Sequence, residues 1–385
     1  MTKKFWPFSF YFFYFGAIAT MLPYLVLYYG ELGLAGRQIG FLTALPPLIT
    51  LISAPLLTGV ADSTHRHRLV LSLSLLFSIF FILAVSMVTS FWQLLPLIVM
   101  FAFCIAPANS LADSATMTML EGEREMYGRV RLGGSFGWAV TSIMAGMIIE
   151  QSGLHSSFYM FAILMFITML VGQKLIFSKV EARVSVRHGI QALLGKPRWV
   201  LFLAMSFVAG IGLAVVNTYL LFYMDELGSS KTLMGITMVV ATIAEIPILF
   251  FSNRLISRLK AHGLLVFGVA MTGIRLLLLA AVNQPIGVTV VQLMNGLTFS
   301  AIWVAGVTYA NDNAPRGVSA TAQGLFGSVL MGFGAATGNF LGGILIDTYD
   351  TRVMFLFFGV VVLGSLAVFS LVERRLPVET LEPSI

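Results

Sequence analysis

Apolar runs of about 20 residues or more, enough to cross the ~30 Å of hydrocarbon in a bilayer, alternate along this chain with short polar breaks. They fall at 5–29, 38–61, 69–90, 92–118, 128–150, 154–177, 199–224, 232–253, 263–282, 285–311, 319–346 and 352–372. The pattern predicts twelve spanning helices, because backbone in lipid must satisfy its own hydrogen bonds and a helix does so within one segment. The first run follows the basic start Met1-Thr2-Lys3-Lys4. It is too long for the apolar core of a signal peptide and lacks a small-x-small cleavage site, so it reads as a retained helix.

The longest polar interval, 178–198, is basic and contains Gly195 and Pro197. It divides the helices six and six, giving a bundle over 1–177, a linker over 178–198 and a second bundle over 199–385. A repeat supports the division. Tyr24, Glu31, Leu32, Gly33 and Gly40 recur 195 residues later as Tyr219, Glu226, Leu227, Gly228 and Gly235. Phe136, Gly137 and Gly146 recur 197 residues later as Phe333, Gly334 and Gly343, with Glu150 answered by Asp347. The fold class read from this is an all-α membrane protein whose two six-helix bundles are parallel repeats, an arrangement used by transporters.

Composition agrees. Hydrophobic residues make up 58% of the chain and charged residues 10%, against roughly 25% charged in a soluble domain, and the mean hydropathy is +0.92. A net charge of +6 could suggest nucleic acid, but the cations sit in short loops and read as topology signals. With both termini in the cytoplasm, eighteen of the Lys and Arg residues face that side. Arg37, Lys231 and Arg352 fall on the other, and Arg131 and Arg275 lie within spans. The positive-inside rule therefore places both termini in the cytoplasm of a multi-pass inner-membrane protein. Cys104, the one cysteine, lies in an apolar run and can form no disulfide within the chain.

Membranes reject ionisable groups that have no task, which singles out Asp113, Arg131, Glu245 and Arg275. At 1.5 Å per residue each acid is level with its arginine to within ~3 Å on consecutive antiparallel helices. Arg131, Ser135 and Trp138 stand at i, i+4 and i+7 and share one helix face. Asn109 lies one turn before Asp113, and Gln292 and Asn295 share a face of the tenth helix. The histidines (His65, His67, His155, His188, His262) all read as loop or helix-end residues, which leaves no intramembrane imidazole relay. No phosphate-cradling loop, metal-spaced Cys/His set or Ser/His/Asp arrangement stands out, so neither an enzyme nor a cofactor or metal is expected.

The chain resembles the major facilitator superfamily, and within it the lactose-permease-like and phenylpropionate-permease-like proton symporters. The opening Phe13-Tyr14-Phe15-Gly16-Ala17 is similar to the start of that branch. Pro55, Gly59-Val60-Ala61-Asp62 and Arg66 resemble the superfamily's signature between helices two and three, with Thr58 and His65 in place of two of its glycines. The resemblance implies that Asp62 and Arg66 belong to a cytoplasmic gate. It also implies that Asp113, Arg131 and Trp138 occupy the positions of the acid, arginine and tryptophan that bind sugar, although aspartate is a methylene shorter than the family's glutamate. Glu245 and Arg275 look like the family's helix-eight glutamate and helix-nine arginine. The chain departs from lactose permease at Gln292, Asn295 and Thr298, which stand where that protein has a lysine, a histidine and the proton-accepting glutamate.

A coupled proton would then need Glu245 or Asp113, with Arg275 as partner to Glu245. Burial favours the protonated form of a carboxyl and a neighbouring arginine favours the ionised form, so substrate that draws the arginine away would act as a switch. The expectation is a monomeric secondary active transporter that takes up a small polar organic solute such as a sugar or oligosaccharide with a proton. Symport of a nucleoside or aromatic acid, proton-driven drug efflux and sodium coupling stay open. The four buried charges sum to zero, which favours a neutral or zwitterionic solute over an anion. Asn109, Gln292 and Asn295 join Asp113, Arg131 and Trp138 as candidate substrate contacts.

Overall fold

The computed structural model describes residues 2–120, 123, 126–177, 193–314 and 318–375. The interval 178–192 of the expected linker lies outside them, as do Arg124 and Arg316, two of the cations that oriented the chain.

Twelve described helices are long and apolar enough to cross a membrane. In chain order they are α1 (Lys4–Glu31), α2 (Gly36–Thr64), α3 (His67–Val85), α4 (Phe91–Met119), α5 (Tyr127–Ser152), α6 (His155–Gly172), α7 (Pro197–Glu226), α8 (Lys231–Phe250), α9 (Ser252–Ala281), α10 (Pro285–Asp312), α11 (Ser319–Thr348) and α12 (Thr351–Glu373). The twelve runs read from the sequence each correspond to one helix. The largest difference is at α9, which begins eleven residues before the expected 263. Arg254, Arg258 and Lys260 make that segment look like a loop. On a helix, however, Leu255 and Ile256 turn inward against the core while the cations stay outside. The turn then breaks at Lys260, whose φ is 57°.

One packing scheme is used twice. In the first half α1 lies along α5 and α6, α3 along α4 and α6, and α2 along α4. In the second half α7 lies along α11 and α12, α9 along α10 and α12, and α8 along α10. Each contact recurs six helices later, the structural form of the sequence repeat. The recurring Leu-Gly of the α1–α2 and α7–α8 turns has the same use in both. Gly33 and Gly228 sit at φ 73° and 77°, a left-handed conformation that glycine adopts without strain.

Between the halves, α2 crosses α11 and α5 crosses α8, while the end of α1 meets α7. The crossings are tight at the end that carries the α1–α2 and α7–α8 turns. Asn339 on α11 donates to the Thr43 carbonyl on α2 at 2.9 Å, a polar contact between halves just below that end.

Candidate functional site

The first-half site is built where three helices meet. Proline cannot continue an α-helical hydrogen-bond ladder, and Pro107 interrupts α4 at Ala106, starting a new segment that carries Asn109 and Asp113. On α5, Gly133, Gly134 and Gly137 let α1 come close. A Cβ on Gly137 would overlap the Phe12 carbonyl, and one on Gly134 would lie 2.6 Å from the Phe15 ring. With the glycines against α1, Arg131 reaches over Tyr11 and Phe15 of that helix, and Ser135 and Trp138 follow it along one stripe. The same stripe continues into Ser142 and Gly146, which meet α8 of the other half. Ser135 is exposed and Trp138 half-buried. Below the crossing this face of α5 is therefore open towards the second half.

Asp113 and Arg131 form an ion pair, Nη1 to Oδ1 at 2.8 Å, with the side chains 33% and 38% exposed. Tyr11 on α1 donates its hydroxyl to the same Oδ1 at 2.6 Å, and the Tyr127 hydroxyl accepts from the same Nη1 at 3.0 Å. Thr116 in turn donates to the Tyr11 oxygen at 3.2 Å. The guanidinium lies over the faces of Tyr11 and Phe15, 5.6 and 5.7 Å from their centroids. These contacts place one corner of each charged group firmly. Both hydrogen bonds of Arg131 come from Nη1, and the Tyr127 side chain also bonds the Asp113 carboxylate. Asn109 Oδ1 is buried and has no hydrogen-bond partner among the described residues.

The second-half cluster lies on α8, α9 and α10. α10 is irregular there, tightening to a 3-10 turn over Gln292–Met294 and widening to a π turn over Gly296–Ser300. Such departures change which residues share a face, and they bring Gln292, Asn295 and Thr298 together on one group. That group is Arg275, 2% exposed. It donates Nη1 to Asn295 Oδ1 and to Thr298 Oγ1, each at 2.8 Å, and Nη2 to Gln292 Oε1. Arg275 Nε and Gln292 Nε2 are buried without a protein partner among the described residues.

Glu245 does not bond Arg275 directly, as the matched depths suggested. Asn295 stands between them, its Nδ2 donating to Glu245 Oε1 at 2.7 Å. Gly235, ten residues earlier on α8, packs on Ser142 of α5. Gln292 and Asn295 sit closed around Arg275.

Asp62 and Arg66 are both exposed at the opposite end of α2. Asp62 bonds within its own half, to His67 Nε2 at 2.8 Å, and the His67 ring stacks on Phe177 with centroids 5.3 Å apart. The repeat-related His262 pairs with Glu373 at 3.0 Å, also within its own half.

Tyr11, Tyr127 and Phe15 are the site residues that the sequence did not single out. Tyr127 carries a legible signal, since it lies one turn before Arg131 on the same helix. Tyr11 and Phe15 belong to the aromatic run of α1, where nothing in the sequence separates a ring that packs from one that faces a charge.

The model of the MFS_1 like family matches residues 6–357. A maltose permease of Geobacillus stearothermophilus is 26% identical over 95% of this chain and 93% of its own length. An uncharacterised transporter of Bacillus subtilis, YwbF, is 24% identical over 91% of this chain and 89% of its own. Among solved structures, the nucleoside transporter NupG superposes with a TM-score of 0.86 at 19% identity, covering 97% of this chain and 100% of that one. At that identity the likeness is one of fold.

Proposed function

Because the chain belongs to the MFS_1 like family, and so to the major facilitator superfamily of transporters, we propose that it takes up a sugar or oligosaccharide together with a proton. The solute is held between the halves at Asp113, Arg131 and Trp138, and exchanged between sides as the halves rock. The observation that carries this reading is the half-exposed ion pair whose inner corner is fixed by Tyr11 and Tyr127. Its outer corner offers a carboxylate oxygen beside guanidinium N–H groups, an acceptor next to donors, which suits vicinal hydroxyls. The Trp138 indole suits the apolar face of a pyranose. Asn109, one turn away with an unpartnered Oδ1, adds an acceptor. The likeness to a maltose permease over nearly the whole chain supports the sugar class.

Glu245 is the proposed proton site. It is half-buried, and it is joined to Arg275 through an amide that can bond either form of the carboxyl. Gln292 and Asn295 act by holding Arg275, with Asn295 also linking it to Glu245. Both termini lie in the cytoplasm of the inner membrane, as the distribution of cations indicates. Asp62 and Arg66 then lie at the cytoplasmic gate.

Uptake into proteoliposomes under an imposed pH gradient, run over sugars, nucleosides and aromatic acids, tests the reading. Gradient-driven accumulation of a sugar that is lost in Asp113→Asn supports it. Accumulation of a nucleoside or aromatic acid in place of every sugar overturns the substrate class.

A further inference from the structure

The seam between the halves is closed twice by repeat-related parts. Where α2 crosses α11, a Cβ on Gly343 would overlap the Gly36 carbonyl. Where α5 crosses α8, a Cβ on Gly146 would overlap the Lys231 carbonyl. A carboxylate completes each crossing. Asp347, at the end of α11, accepts from the Gly36 backbone N–H at 3.1 Å and pairs with Arg37 Nε at 2.9 Å. Glu150, at the end of α5, accepts from the Thr232 backbone N–H at 2.8 Å. Gly36 and Thr232 lie in the first turns of α2 and α8, where helix N–H groups lack intrahelical partners and the helix dipole attracts negative charge. α2 has Ala35 at its N-cap, a residue with no side-chain oxygen to give. The acceptor comes instead from the other half. α8 has its own cap, Ser230 on the Leu233 N–H, and Glu150 takes the next donor along. Lys231 is held by Asp225, and Glu150 bonds the Thr232 side chain as well as its backbone N–H.

We propose that Asp347 and Glu150 form a two-point latch: a carboxylate from each half caps the opening turn of a helix in the other half. The two contacts hold this end of the cleft shut. Both must break for the site to open there, and the glycine crossings can part only when they do. In the orientation proposed above, on which this naming of sides rests, this is the extracellular gate.

The test is labelling of a cysteine placed in the cleft, Ser135→Cys in a Cys104→Ala background, with a membrane-impermeant maleimide. Right-side-out and inside-out vesicles are compared. Asp347→Asn and Glu150→Gln together should raise the labelling rate from the latched side roughly threefold to thirtyfold, with each single change giving part of that. The charge-retaining pair Asp347→Glu and Glu150→Asp should stay closer to the parent. A rise seen in right-side-out vesicles supports both latch and orientation. A rise seen in inside-out vesicles alone supports the latch and reverses the orientation. Unchanged labelling on both sides overturns the latch. Glu150 is exposed, so Glu150→Gln alone provides a reading if the double variant does not fold.

Discussion

Glu245 and Arg275 are joined through Asn295, whose Oδ1 faces the guanidinium and whose Nδ2 faces the carboxylate. The charges fix this orientation, since turning the amide would set donor against donor and acceptor against acceptor. Asn295→Leu removes both bonds at once and leaves two ionisable groups without that partner. A buried group stripped of its hydrogen bond costs about 1–3 kcal/mol, more when charged. The variant should melt measurably earlier in detergent, and an unchanged melting temperature would show that the bridge carries no stability.

Arg131 bonds its own half through Nη1 alone. Lysine can keep a bond to Asp113, but it has no second nitrogen to offer a ligand. Arg131→Lys should therefore fold and insert normally while substrate affinity falls at least about tenfold, equivalent to ~1.4 kcal/mol. Trp138→Ala should cost about 0.5–1.5 kcal/mol of affinity beyond the lost area, and Trp138→Tyr should keep most of it. Equilibrium binding to purified protein reads all three. Unchanged affinity in Arg131→Lys would make that residue a structural one.

Which parts of this arrangement were legible in the sequence follows from the forces involved. Hydrophobic length alone locates twelve helices, because lipid leaves a spanning backbone little choice. Asp113 and Arg131 could be paired by counting turns, since both lie on straightforward helical rises. Glu245 and Arg275 could be brought to one level the same way, but not resolved into a bridged pair. The 3-10 and π turns of α10 set which way Asn295 faces, and no pattern of residue types announces them. The helical start of α9 was hidden by its charges, which outnumber the apolar residues that hold it down. Tyr11 was hidden because its partner lies 102 residues away.

Gly137 tests the packing that orients the site. A methyl group there would overlap the Phe12 carbonyl, and backbone cannot move aside as a side chain can. Gly137→Ala should push α1 from α5 at a cost of about 1–3 kcal/mol. Because α1 carries Tyr11 and Phe15, affinity should fall along with stability. Gly128 has open space where its Cβ would go, so Gly128→Ala serves as the control. Thermal melting and binding on both variants check this, and equal behaviour of the two would mean that the α1–α5 contact is looser than described.

Glu245→Gln separates coupling from binding. Glutamine keeps the shape and an oxygen that can accept from Asn295 Nδ2 in place of the carboxylate, so the cluster around Arg275 should survive. What it cannot do is gain or lose a proton. If Glu245 carries the coupled proton, the variant is fixed in the neutral form. It should lose accumulation driven by a pH gradient while exchanging labelled for unlabelled substrate at a rate within about threefold of the parent, roughly 0.6 kcal/mol of barrier. Asp113→Asn should differ: the Arg131 partner loses its charge there, so exchange and accumulation should fall together. Continued accumulation in Glu245→Gln would remove Glu245 from the coupling step. If Asp113→Asn also accumulated substrate, protons would not be the driving ion, and the same vesicles with a sodium gradient would decide whether sodium takes that place.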